Sequence, residues 1–329
     1  MNSGSPPLPN HRGGRHASAR QRGAALLTAM IIVTLVATLA ASMIWQQWRA
    51  VEVETAERAR AQSGWILAGA LDWARLILRE DARAGGADHL GEPWAVPLAE
   101  ARLSTFLAAD RSNTEDAPDA FLSGRIVDAQ ARYNLRNLVD RDKVIEVEQR
   151  TLERLCETAG VAPELAARIA NRLRDALTLE STKADSGIDT PLIPRTVSQL
   201  AWFGVDSEAL TRLRPYITLL PQRTTLNLNT AQREVIAAVI EGADLGSAER
   251  MVQSRQRNPI QSLEAAKQLL PSGVLLNPSR VGVSSSFFEV HGRLRLGDRA
   301  LEQRSLVERR GVEIVQLRRE RVSSQESLQ

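Results

Sequence analysis

The chain has 329 residues, 43% hydrophobic but only 4% aromatic, which leaves room for an anchor and two modest folded regions with cores of Leu, Ile, Val and Ala. Its formal charge is +3, but residues 1–22 hold Arg12, Arg15, Arg20 and Arg22 and no acid, so the rest sums to −1 and overall charge gives no case for nucleic-acid binding. Cys156 is the only cysteine, which excludes an intrachain disulfide, and His11, His16, His89 and His291 stand in no catalytic setting.

Residues 24–45 contain no charge and no proline. At 1.5 Å rise per residue such a helix just spans a hydrocarbon core of about 30 Å. Arginines crowd before it, and Arg49, Glu52 and Glu54 follow. The positive-inside rule places the N-terminus in the cytoplasm and the bulk of the chain outside it. A cleaved signal peptide is the competing reading, but the apolar run is long and Ala40-Ala41-Ser42 is a loose cleavage site. No proline occurs between Trp45 and Glu92, so the helix continues beyond the bilayer until Gly85 and Gly86 end it. Beyond the bilayer it becomes amphipathic. Ile66, Ala70, Trp73 and Ile77 form one stripe, with Leu67, Leu71, Ala74 and Leu78 beside it.

The basic leader ending Arg20-Gln21-Arg22-Gly23, directly before Ala24-Ala25-Leu26-Leu27, resembles a prepilin peptidase signal. That resemblance implies cleavage between Gly23 and Ala24 and methylation of the new N-terminus at Ala24. The fifth mature position, a glutamate in most pilins, is Thr28 here. A lone carboxylate inside a bilayer costs about 2.5–3.5 kcal/mol on insertion scales, so it is retained only where it finds a partner. A subunit without it suits a terminal place in a filament. Threonine also has a plain explanation, bonding back to its own helical turn. With the leader and the inserted region described next, the chain resembles the minor pseudopilin K family of the bacterial type II secretion system.

Residues 86–118 read as a loop around a short helix at 99–109. Residues 121–138 begin with strand alternation. They match the family segment I-x-D-x-x-x-x-x-N-L-x-x-L at Ile126, Asp128, Asn134, Leu135 and Leu138. Asp128 and Asn134 are expected to bond local backbone at a turn rather than act as ligands. From residue 140 to about 278 the pattern is helical: 142–159 closed by Gly160, 163–176 opened by Pro163, a loop over 179–194, then 196–203, 207–213, 231–240, 245–256 and 262–269. Residues 285–295, 302–309 and 311–321 read as strands, with a turn at Gly297-Asp298. The fold class is therefore α+β: a long transmembrane and amphipathic helix packed on an antiparallel pilin-like sheet, with an all-helical domain inserted. The expected divisions are a leader at 1–23, the span at 24–45, the first pilin-like part at 46–138, a helix-hairpin-helix-like insert at 139–283, C-terminal strands at 284–322 and a polar tail at 323–329.

Asn227, Asn229, Ala231, Gly242 and Arg255 also resemble a helix-hairpin-helix unit of membrane-anchored DNA-uptake proteins, with residues 155–172 a weaker copy. That motif points hairpin N–H groups at a phosphate. Here Glu241 and Asp244 occupy the hairpin, and Glu157 and Glu164 flank Gly160, which opposes a phosphate electrostatically. A protein-interaction scaffold is the preferred reading and no nucleic acid is expected. The family carries calcium in acidic loops of its helical domain, and Asp175, Glu180, Asp185 and Asp189 are the corresponding candidates. Those acids are sparse for six to eight oxygen ligands and Lys183 sits among them, so a plain solvated loop is preferred over calcium.

No nucleophile–base pair, phosphate loop or zinc spacing occurs, so a non-enzyme is expected. The family resemblance implies a subunit of the inner membrane at the tip of a periplasmic pseudopilus. It would be processed by prepilin peptidase and bind minor pseudopilins I and J, with H of the same system, through the extra-membrane helix. It would take part in initiating the filament that exports folded proteins across the outer membrane.

Overall fold

A computed structural model describes residues 18–103, 120–182, 192–297 and 299–322. The chain divides into two units, Met1–Gly64 and Trp65–Gln329. The described part of the first unit belongs to one helix, Ser18–Ala84, which no proline interrupts. Its apolar side chains, among them Leu27, Ile31, Leu35 and Ile44, are exposed on every side.

In the second unit, residues 65–84 of that helix lie on a five-stranded antiparallel sheet. In spatial order its strands are Leu98–Arg102, Ala120–Asp128, Phe287–Leu296, Arg299–Arg310 and Glu313–Val322. Alternate residues of the strands face the helix. Ile126, Phe288, Val290 and Val307 meet Leu71, Ala74 and Leu78, while Ala120, Leu122 and Leu294 meet Leu67. Gly124 and Gly292 stand opposite each other in register. A Cβ on Gly292 would lie 3.2 Å from Leu67 Cδ2, so this bare stretch of sheet lets the helix approach closely. Gly85 and Gly86, both in left-handed conformation, end the helix.

Between the strand ending at Asp128 and the strand beginning at Phe287 the chain builds a helical block. It comprises helices Glu146–Thr158, Glu164–Thr182, Ser207–Leu213, Arg233–Val239, Leu245–Arg257 and Leu263–Lys267, and the 3-10 segment Val197–Phe203. Leu152, Leu155, Ile169, Leu200, Ile236 and Met251 are fully buried in their shared core. Asp206, Asp244 and Ser262 cap their helices by accepting from the backbone N–H three residues on. Two short parallel pairings close the block. Tyr133 and Asn134 pair with Ile217 and Thr218, and Leu226 and Asn227 pair with Val281 and Gly282. The block meets the sheet face turned away from the long helix, where Ala129, Leu220, Phe287 and Leu306 pack together.

Three local expectations are corrected. The edge strand Leu98–Arg102 takes in residues 99–102 of the short helix expected at 99–109, and residues 104–119 lie outside the described set. Leu-Ala-Glu-Ala-Arg carries good helix formers, but pairing with Phe121, Leu122 and Gly124 overrides that weak preference. The helix expected over 142–159 starts only at Glu146, because Val139–Asp140 and Lys143–Val144 form a tight hairpin with Arg141 at positive φ. The helix expected to fade near 176 continues to Thr182.

Candidate functional site

Two surfaces outside the helical block bear on assembly. The first is the apolar end of the long helix. Its most apolar 18-residue stretch has mean hydropathy 2.4 and none of it is buried within the protein, so it is long and apolar enough to cross a membrane. Gly23 and Ala24 both lie in the helix, and Thr28 Oγ1 donates to Ala24 O at 2.8 Å, the backbone bond expected of a threonine in an apolar helix. The Arg49 guanidinium stacks 5.5 Å from the Trp45 ring, past the end of the uncharged run.

The second surface lies on residues 65–84 and is built by the helical period. Leu67, Leu71, Ala74 and Leu78 point into the sheet and are buried. The adjacent stripe stays open: Ile66, Ala70 and Ile77 are partly buried and Trp73 is 47% exposed. Ala70, Trp73 and Ile77 edge a cavity of about 310 Å³ whose other wall includes Pro93, Val96, Pro97 and Leu98. Ile66 packs instead on the Leu67–Leu122–Leu294 cluster. Leu76 and Val96 extend the exposed apolar area. Exposed aromatic and aliphatic groups beside a groove mark an interaction surface rather than a catalytic one.

A buried polar joint holds this surface to the rest of the unit. Asp128 accepts from Gln130 N at 2.7 Å, Asn227 Nδ2 at 3.0 Å, Thr230 Oγ1 at 2.5 Å and Ser285 Oγ at 2.6 Å. Burial pushes its carboxyl above the ordinary range, and those four donors work in the opposite direction. Asn227 Nδ2 also donates to Asp88 O at 3.1 Å, in the loop that follows the long helix. Asp88 then accepts from Ser285 N at 2.7 Å, and from Arg309, which also donates to Asp81 Oδ2 at 2.6 Å. Asn134 and Asn137 work alike, each both accepting from and donating to the segment 220–224. Sequence reasoning found the local turn bonds of Asp128 and Asn134 but missed Asp81, Asp88 and Arg309, which converge only through tertiary contacts.

Asp81, Asp88 and Glu92 bring carboxylate oxygens within 4.8 Å of one another, but the Arg309 guanidinium occupies the cluster as its cation. Asp81 is pushed up to about 7, by burial first and then by the neighbouring carboxylates Glu92 and Asp88. Of the calcium candidates, Asp175 is helical and its Oδ1 accepts from Arg174 Nε at 3.0 Å and Nη2 at 2.7 Å. Glu180 lies in the same helix, and Asp185 and Asp189 fall outside the described residues. In the hairpin between the helices at 233–239 and 245–257, the Asp244 carboxylate bonds Ser247 N at 2.7 Å. It thereby takes the N-terminal N–H that a phosphate would use. Arg255 donates into the protein, to Leu228 O, rather than outward. Cys156 is fully buried, and burial together with Glu153 and Glu157 pushes its thiol up to about 12, so it is no nucleophile.

Two family models described as type II secretion system (T2SS), protein K match residues 131–222 and 226–284. A curated protein named type II secretion system protein K from Pseudomonas aeruginosa is 30% identical over 301 residues, covering 85% of this chain and 86% of that protein. Its namesake from Pectobacterium carotovorum is 27% identical over 329 residues, covering 91% and 96%. A chain from a crystal structure described as the GspK-GspI-GspJ complex of the enterotoxigenic Escherichia coli type 2 secretion system shares the fold. It has a TM-score of 0.57 and 17% identity, covering 82% of this chain and 99% of that one.

Proposed function

Because the chain belongs to the type II secretion system protein K family, we propose that it is a minor pseudopilin at the tip of a periplasmic pseudopilus. Residues 24–45 hold it in the bacterial inner membrane with the N-terminus cytoplasmic, and the unit from Trp65 onward is periplasmic. Prepilin peptidase removes residues 1–23 between Gly23 and Ala24, and Ala24 is then methylated. Residues 46–138 and 284–322 form the pilin-like part, and 139–283 the inserted helical domain. That bulky insert blocks stacking of a further subunit, which makes the position terminal and suits a role in starting the filament that exports folded proteins. The subunit works by binding rather than by catalysis.

The observation that carries this reading is the apolar groove edged by Ala70, Trp73 and Ile77 on the extra-membrane helix. Its geometry suits an apolar helix face of a pilin-like partner. The partners are minor pseudopilins I and J, a choice supported by the likeness to a chain solved in a GspK-GspI-GspJ complex.

Full-length protein is co-expressed with pseudopilins I and J and extracted in mild detergent. Trp73→Glu is expected to reduce co-purification at least tenfold with circular dichroism unchanged, because this side chain is half-exposed at the rim of the groove, whereas Ile77 also packs on the core and is left in place. Undiminished co-purification contradicts this interface. Retardation of DNA at low salt by the wild-type protein would favour the DNA-uptake reading instead.

A further inference from the structure

On the sheet face turned away from the long helix, beside the area covered by the helical block, lies a cavity of about 660 Å³. Its charged lining is one-sided. Arg125, Arg132, Arg214, Arg304, Arg318 and Arg321 face only Glu289 and Glu320, with His291 beside them. Both acids are already engaged. Glu289 lies 3.0 Å from Arg132 Nη2 and 3.5 Å from His291 Nε2, and Glu320 lies 2.8 Å from Arg318 Nε. Although burial opposes its charge, Arg132, His291 and Arg304 hold the Glu289 carboxyl well below the usual range, so it stays ionised and committed to those cations.

Arg125, Arg214 and Arg321 have no acidic partner among the described residues, and Arg304 Nε is buried with no hydrogen-bond partner. Several uncompensated guanidinium groups around a concavity repel one another, and a buried N–H without an acceptor is costly. A bound oxyanion offsets that repulsion, since guanidinium matches carboxylate and phosphate oxygens bidentately. Thr196, Ser198 and Gln199 add hydroxyl and amide groups to the lining. The volume falls within the range of about 300–1,000 Å³ typical of ligand sites.

We propose that this arginine-lined cavity binds a multiply charged oxyanion, clamped by the partly buried Arg304 and Arg214 and the exposed Arg125 and Arg321. The shared chemistry is clustered carboxylate or phosphate oxygens, supplied either by a free small anion or by consecutive acidic side chains of a peptide. The site opens on the other sheet face from the groove at Trp73, with Arg125 and His291 lining both, and does not depend on the pseudopilus reading.

Full-length protein in uncharged detergent at low salt is titrated calorimetrically with citrate, pyrophosphate and a hexaglutamate peptide, with sodium chloride at matched ionic strength as reference. Saturable binding is expected, and Arg125→Gln with Arg321→Gln, both on exposed positions, weakens it at least tenfold. Arg154→Gln, on a helix outside the cavity, leaves it unchanged. Binding of citrate or pyrophosphate at least as tight as that of the peptide assigns the site to free anions, and binding of the peptide alone assigns it to an acidic segment. If nothing binds beyond the chloride reference, or if the Arg125/Arg321 variant binds as wild type does, the proposal is overturned.

Discussion

Asp128 joins three parts of the sequence at one carboxylate: its own turn through Gln130, the helical block through Asn227 and Thr230, and the C-terminal strands through Ser285. Asp128→Ala removes the shared acceptor of four hydrogen bonds in a fully buried site, although Asn227 Nδ2 keeps Asp88 O, and the expected loss is about 3 kcal/mol, read as a fall in the urea midpoint. A loss below about 1 kcal/mol would contradict this role. The turn bond to Gln130 is two residues away and legible in the sequence. The partners Asn227, Thr230 and Ser285 lie 99, 102 and 157 residues away, and no local pattern announces them. Asp81 makes a second prediction. Its pKa is raised to about 7 by burial and by Glu92 and Asp88, against about 3.9 in an unfolded chain. Between those values the folded state binds more protons than the unfolded one, so the contribution is complete below about pH 4 and lost as pH rises through 7. Wild type is therefore expected to lose more stability from pH 5 to pH 7.5 than Asp81→Asn, which cannot ionise. Parallel pH profiles for the two proteins would contradict the assignment.

Local signals and tertiary pairing compete within each element, and the outcome depends on which is stronger. The helix Ser207–Leu213 was legible because Asp206 caps it and its apolar spacing agrees with its burial. The strand Leu98–Arg102 was not, because its helix-forming composition yields to edge pairing supplied by Ala120–Asp128. The stripe Ile66, Ala70, Trp73, Ile77 was visible from periodicity alone, but the cavity beside it needed Pro93 to Leu98 folded back alongside. Beneath the helix, the glycine pair separates two kinds of close approach. A Cβ on Gly124 would lie 2.7 Å from the backbone oxygen of His291, whereas one on Gly292 meets only the movable end of Leu67 at 3.2 Å. Gly124→Ala is accordingly expected to cost about 1–3 kcal/mol and Gly292→Ala clearly less, as urea unfolding would show. The reverse order would contradict the packing described.

At the scale of the whole chain, the plan of helix, first strands, helical insert and last strands follows from where the hydrophobic period changes from 3.6 to 2 and back. The arginine cavity was invisible at that level, because its six guanidinium groups are scattered from Arg125 to Arg321 and only the fold gathers them. A retained apolar helix at the N-terminus distinguishes a pseudopilin from an exported soluble protein whose signal is discarded. Mass spectrometry of the N-terminal peptide of protein extracted from inner membranes tests this most directly. The account predicts that the mature chain begins at N-methylated Ala24, with residues 24–45 intact. A chain beginning at Met1, or at Ser42 with the apolar helix removed, would contradict it.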